Sequence, residues 1–155
     1  MIYRLLGIIP SLSIGIAMLF IGLYFRTHVH IEIGKNGICL PSAEKKEYKW
    51  LYTQAIGPRV LIMVGLADLV ISVIIGSILT LLGGDDNIIL ILITVIGFSF
   101  LIGALLYIDH KTDRFMPEWL EKEDNVKREQ WLNAMKEYAE KKQFVLFEKL
   151  AQSEE

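Results

Sequence analysis

The residues best suited to chemistry lie in one short run. His28, His30 and Glu32 alternate with Val29, Ile31 and Ile33, and a period of two puts three metal-capable side chains on one face of an extended segment. Cys39 and His110 are the further donors that a metal held there would recruit. Imidazole alone does not select a metal, so the run reads as a polar face at a membrane surface, with no metal and no cofactor assigned. The chain has no G-x-S-x-G, no H-E-x-x-H and no phosphate-cradling glycine loop. A metal-dependent enzyme would have to be assembled from His28, His30 and Glu32 with His110 and Asp113. That set lacks a nucleophile, base and orienting group, and the sequence reads as a non-enzyme.

A second candidate is Asp68, the one formal charge inside the apolar run 60–84. If that run crosses a bilayer as a helix, Asp68 lies roughly 12 Å past its start. Ionised there, it would cost about 2.5–3.5 kcal/mol. No lysine or arginine lies within an apolar run to neutralise it. Ser99, at matching depth in the run 88–108, is the expected hydrogen-bond donor; in the first run the matching region is Ala17, with Ser13 one turn further out. Two readings stand for Asp68. It is a proton or cation site or a polar contact for a partner helix, or it is a neutral acid hydrogen-bonded inside a bundle.

The elements that position these residues follow from composition. Of 155 residues, 53% are hydrophobic and 22% charged, with a mean hydropathy of +0.42. A soluble domain of this length must keep about a third of its surface in water, which disfavours a soluble globular fold and disfavours disorder more strongly. Runs 5–25 and 88–108 carry no charge, and 60–84 carries only Asp68. Each is long enough for a helix to cross a hydrocarbon core of about 30 Å. The expected fold is an all-α membrane protein: a three-helix transmembrane domain over 1–108 with a loop at 26–59, then a helical tail at 109–155. The first run is longer than a signal-peptide core and has no A-x-A-like site before Arg26, so it reads as a retained anchor.

Three crossings place the termini on opposite sides. One side carries Arg4 alone; the other carries six bases in 26–59 and nine after Ile108. This asymmetry orients the N-terminus outside and both loop and tail in the cytoplasm, in the cell membrane. Tyr24, Tyr107, Trp50 and Trp119 then fall near the cytoplasmic interface. Small residues recur four apart, at Ser11 and Gly15, Ser72 and Gly76, Ser99 and Gly103, as in helices that pack closely. The net charge of −2 supplies no basic footprint for nucleic acid.

In the loop, 29–33 and 38–40 have the pattern of a short hairpin around the turn at 34–37. Pro41 ends the pairing, and Ser42 is placed to cap a helix starting near Ala43. Asn36, Gly37, Ile38 and Pro41, then Trp50, then Arg59 nine residues later, resemble the signature of the SdpI-like membrane family. The single helix before them and the two after also resemble that family's layout. Cys39 and Leu40 stand where the family has Arg-Thr, and Pro58 where it has glycine. The resemblance implies kinship with immunity factors that protect a producer from its own peptide toxin, and with signalling that holds a repressor at the membrane.

The tail carries twelve acids and nine bases, which is no polybasic patch for anionic lipid. Leu132, Met135, Ala139, Leu146 and Leu150 fall near one helical stripe, with Tyr138 and Phe147 flanking it. Leu132, Met135, Tyr138 and Leu146 are the expected contacts for the loop or for a protein partner. Taken together, the sequence points to a membrane protein acting by protein interaction: immunity-like or regulatory first, an accessory subunit of a larger complex second. The partners are the bilayer and a peptide toxin, regulator or subunit.

Overall fold

A computed structural model describes residues 12–34, 36–121 and 124–153, apart from the side chains at 118 and 121. The described residues are helical, with no strand. The elements are α1 (Ser13–Thr27), a 3-10 turn (Ala43–Lys45), α2 (Glu47–Leu81), α3 (Asp86–Arg114), α4 (Glu118–Glu121), α5 (Asn125–Glu140) and α6 (Phe144–Gln152). The chain divides into two compact units, one from 1–22 and 60–104, the other from 23–59 and 105–155.

α2 and α3 are long and apolar enough to cross a membrane, and under a third of the most apolar stretch of each is buried. Met63, Val70 and Ile74 of α2, with Ile91, Val95 and Ile102 of α3, are more than half exposed. The core helix of a soluble protein buries such side chains, whereas lipid leaves them outward. α1 is shorter, and the part of the first apolar run before residue 12 lies outside the described residues.

Local chemistry sets the boundaries. α2 ends where Gly83 takes φ +77°, with its N–H bonded to the Thr80 carbonyl and that of Gly84 to Leu79; a glycine accepts this left-handed turn without a Cβ penalty. The Asp85 carboxylate then accepts from the Asn87 N–H at 2.8 Å, a side-chain cap that starts α3. α3 therefore begins before residue 88 and continues past 108, with Lys111 and Arg114 in its last turn. In the second unit α2 starts at Glu47 rather than at 43, because 43–45 forms a separate 3-10 turn and the Ser42 side chain makes no cap.

The hairpin expected over 29–40 does not form. The tail also breaks where one stripe was expected. Lys142 adopts φ +55°, and the Lys141, Lys142 and Gln143 N–H groups close on the Glu137, Ala139 and Tyr138 carbonyls. α6 then restarts in a new phase, burying Phe144, Phe147 and Ala151 while Leu146 stays 44% exposed.

Candidate functional site

In the unit formed by 1–22 and 60–104, all three helices converge on Asp68. The residue is 1% exposed. Its Oδ1 accepts from the Ser72 hydroxyl at 3.4 Å, one turn along the same helix, a long bond. Among the described residues its Oδ2 has no hydrogen-bond partner. Glycines make the room around it. A Cβ on Gly15 of α1 would lie 2.7 Å from Oδ2 and 2.9 Å from Leu69 Cγ. On Gly97 of α3 it would lie 3.1 Å from Ile14 Cβ and 3.4 Å from the same carboxylate oxygen. On Gly65 of α2 it would lie 2.9 Å from the Gly15 carbonyl oxygen. α1 and α2 thus meet nearly backbone to backbone, and Gly97 of α3 lies against the Ile14 and Asp68 side chains at their crossing.

Ser99 does not take part. Its hydroxyl is exposed and donates to the Val95 carbonyl, so Ser72 is the donor Asp68 faces. Ser13 is exposed at the start of α1. Of the small residues at four-residue spacing, Gly15 lies at the crossing, Gly103 has nothing within 4 Å of its missing Cβ, and Ser11 lies outside the described residues. Depth counting locates a level in the membrane but carries no azimuth; Gly65, three residues before Asp68 and thus on the same helix face, was the usable signal.

In the other unit three residues of the sequence motif, Gly37, Ile38 and Trp50, come together. The Ile38 N–H donates to Gln54 Oε1 at 3.1 Å, and Gln54 Nε2 donates back to the Ile38 carbonyl at 3.3 Å. A Cβ on Gly37 would stand 2.7 Å from the Trp50 ring and 2.8 Å from Gln54 Oε1, and one on Gly57 would stand 2.5 Å from Ile38 Cδ1. Both glycines let the loop lie flat on α2. Trp50 is fully buried and its Nε1 donates to the His30 carbonyl at 2.8 Å. Beyond Pro41, the Ser42 N–H donates to the Asp109 carboxylate at 2.9 Å, and the Thr53 and Thr112 hydroxyls share a buried hydrogen bond of 2.8 Å.

Asn36 is exposed with φ +52°, and Arg59 is exposed and pairs with Glu148 at 2.9 Å; among the described residues neither bonds to the Ile38–Trp50–Gln54 cluster. Gln54 and Asp109 were not singled out in the sequence. Gln54 lies four residues after Trp50, one turn on and on the same helix face.

The end of α3 fixes the loop by charge. Asp113 accepts from Lys45 at 3.2 Å and lies 3.5 Å from the Lys49 ammonium. The hydrogen bond and charge of Lys45, then the charge of Lys49, hold its carboxyl below the ordinary aspartate range. Tyr52 stacks on Phe115 with ring centroids 3.9 Å apart, and Tyr48, Trp119 and Trp131 extend the aromatic cluster. Burial raises the Tyr48 phenol above its usual range, and the Arg128 charge opposes this. Trp50 and Trp119 are therefore packed inside protein, while Tyr24 and Tyr107 remain about half exposed. In the tail, Leu132 and Met135 are buried, Tyr138 is half-buried and Leu146 is exposed.

The metal candidates are not gathered. His28 Nδ1 lies 2.8 Å from the Thr27 hydroxyl, and its ring stacks on Tyr24. His30 is half-buried and Glu32 exposed. The Cys39 thiol donates to the Gly37 carbonyl, and His110 is exposed on α3. Among the described residues no three His, Cys, Asp or Glu side chains converge in a metal-binding group.

Comparison with protein-family models, with curated proteins and with solved structures finds no match to this chain.

Proposed function

We propose that the chain is a small multi-pass protein of the cell membrane, related to the SdpI-like immunity proteins, that protects the cell by binding a membrane-active peptide toxin or its regulator. Three spans, at 5–25, 60–84 and 88–108, place the N-terminus outside and both 26–59 and 109–155 in the cytoplasm, as the distribution of lysine and arginine requires. The outward apolar faces of α2 and α3 support the embedding.

The observation that carries the reading is the convergence of Gly37, Ile38 and Trp50 in one cluster. A motif whose residues are spread along the chain and meet in space behaves as one unit. The test is protection: expression in cells killed by membrane-active peptides of neighbouring bacteria raises survival, and G37A, whose new Cβ would collide with Trp50 and Gln54, abolishes the gain at equal membrane abundance. Equal killing with and without the protein, across a panel of such peptides, sinks the proposal.

An accessory subunit of a larger membrane complex is the second reading. Val145 and Leu146 favour it, since both are exposed on α6 and apolar side chains at such positions suit a partner. Purification in mild detergent as a stable complex of defined stoichiometry would support it; a lone chain would not.

A further inference from the structure

We propose that Asp68 is a proton-binding site whose occupancy controls the contact between α1 and α2: the packed crossing holds the neutral carboxyl, and loss of the proton separates the two helices. The inference rests on the geometry inside this unit and not on the partner proposed above.

A carboxylate offers about four acceptor sites. Among the described residues the crossing supplies one hydroxyl to Oδ1, at 3.4 Å, and nothing to Oδ2. What faces Oδ2 is Gly15 of α1 and Gly97 of α3, with the Leu69 side chain against the same face of Gly15. A neutral acid tolerates this surrounding, whereas an anion needs donors or water. Asp68 is 1% exposed, and between Gly15 and Gly65 not even the space of a single Cβ is open. Moving α1 is the smallest change that hydrates the group.

Among the described residues no charge offers another route to compensation. In the described part of this unit, α1 contributes no titratable side chain, α2 none besides Asp68, and α3 only Asp86, eleven residues before Gly97. At 1.5 Å per residue Asp86 is roughly 16 Å along the helix from the crossing, and it is an acid. Binding energy of the proton and packing energy of α1 on α2 are therefore linked, each favouring the other.

The test uses the full chain in liposomes, with spin labels at F20C and V70C in a C39S background; Phe20 and Val70 are both more than half exposed in this unit. Pulsed electron resonance reads the α1–α2 distance as pH is raised on both sides of the bilayer, and infrared difference spectra follow the protonated carboxyl band that D68N removes. The expected result is a distance distribution that shifts to longer values as that band is lost. D68N, of the same shape but with no carboxyl proton to lose, stays short at every pH. G15A, whose Cβ would sit 2.7 Å from Oδ2, gives the long distance throughout. A wild-type distance that stays short across the titration, or that lengthens equally in D68N, overturns the proposal. If D68N fails to insert, G15A decides: a short, pH-responsive distance in that variant overturns it, and a long, pH-independent one supports it.

Discussion

Gln54 grips Ile38 by both of its backbone groups, accepting from the N–H at 3.1 Å and donating to the carbonyl at 3.3 Å. A side chain on a helix thus does for one extended residue what a neighbouring strand would do. The two bonds are buried, so the backbone of the loop is satisfied without a sheet. With the Trp50–His30 bond, they fasten the loop to α2 at two levels one helical turn apart.

Replacing Gln54 with Leu removes both bonds and leaves a buried N–H and C=O unsatisfied. Each such group costs about 1–3 kcal/mol. The variant should unfold at clearly lower denaturant in detergent and expose the loop 28–41 to protease. Unaltered stability would mean that Gln54 does not hold the loop.

Gly15 at the helix crossing and Gly103 away from it make a sharper pair. A Cβ at Gly15 would meet Asp68 Oδ2 and Leu69 at under 3 Å, and overpacking of this kind costs roughly 1–3 kcal/mol. Gly103 has nothing within 4 Å, so alanine there should be neutral or stabilising, by up to about 1 kcal/mol, through helix propensity. Thermal unfolding in detergent should place G15A below the wild type and G103A at or above it. Equal midpoints for the two would contradict the crossing.

The pH dependence of the second unit should show Asp113. Its carboxyl titrates below the ordinary aspartate value because Lys45 and Lys49 favour the charged form. The stabilisation is then fully present above the unfolded value and is lost as pH falls through the folded one. Midpoints measured from neutral pH into the acid range should fall less steeply below the ordinary carboxylate range in D113N. As the ion pair is exposed, added salt should shrink the difference.

Lys142 sits at φ +55° in the turn between α5 and α6, a conformation that costs a non-glycine residue roughly 1–2 kcal/mol. K142G should therefore raise the unfolding midpoint, with the entropy lost by glycine trimming the gain. A lower midpoint would show that the Lys142 side chain contributes contacts of its own.

The long helices were legible because an apolar run of twenty residues or more admits few alternatives; the ends of α3 were legible to within about two turns, whereas α2 begins at Glu47, thirteen residues before its apolar run. The hairpin was misread because the alternation at 29–33 is satisfied by α2: the Trp50 indole bonds the His30 carbonyl, and Gln54 occupies the backbone of Ile38. A side chain serving as a strand partner leaves no periodic trace. The acid was legible as a site, but its donor was not, since Ser72 is a neighbour along its own helix and Ser99 points away. In the tail, the turn at 141–143 resets the helix phase, so a stripe counted through it put Leu146 on the buried face where Phe147 lies. The motif 36–59 was visible as spacing; only the fold shows that Gly37 is needed for the close approach of Trp50 and Gln54.

The proposed topology embeds the chain in the membrane with the loop 26–59 in the cytoplasm. Cys39, the one cysteine in the sequence, is exposed in that loop and reports on it directly. Intact cells and cells with an opened membrane are treated with a membrane-impermeant maleimide, and the labelled protein is then traced in the alkali-washed membrane fraction. The expected result is no labelling in intact cells, full labelling after opening, and all of the protein in the washed membranes. Labelling of intact cells, or protein released by the alkaline wash, would contradict it.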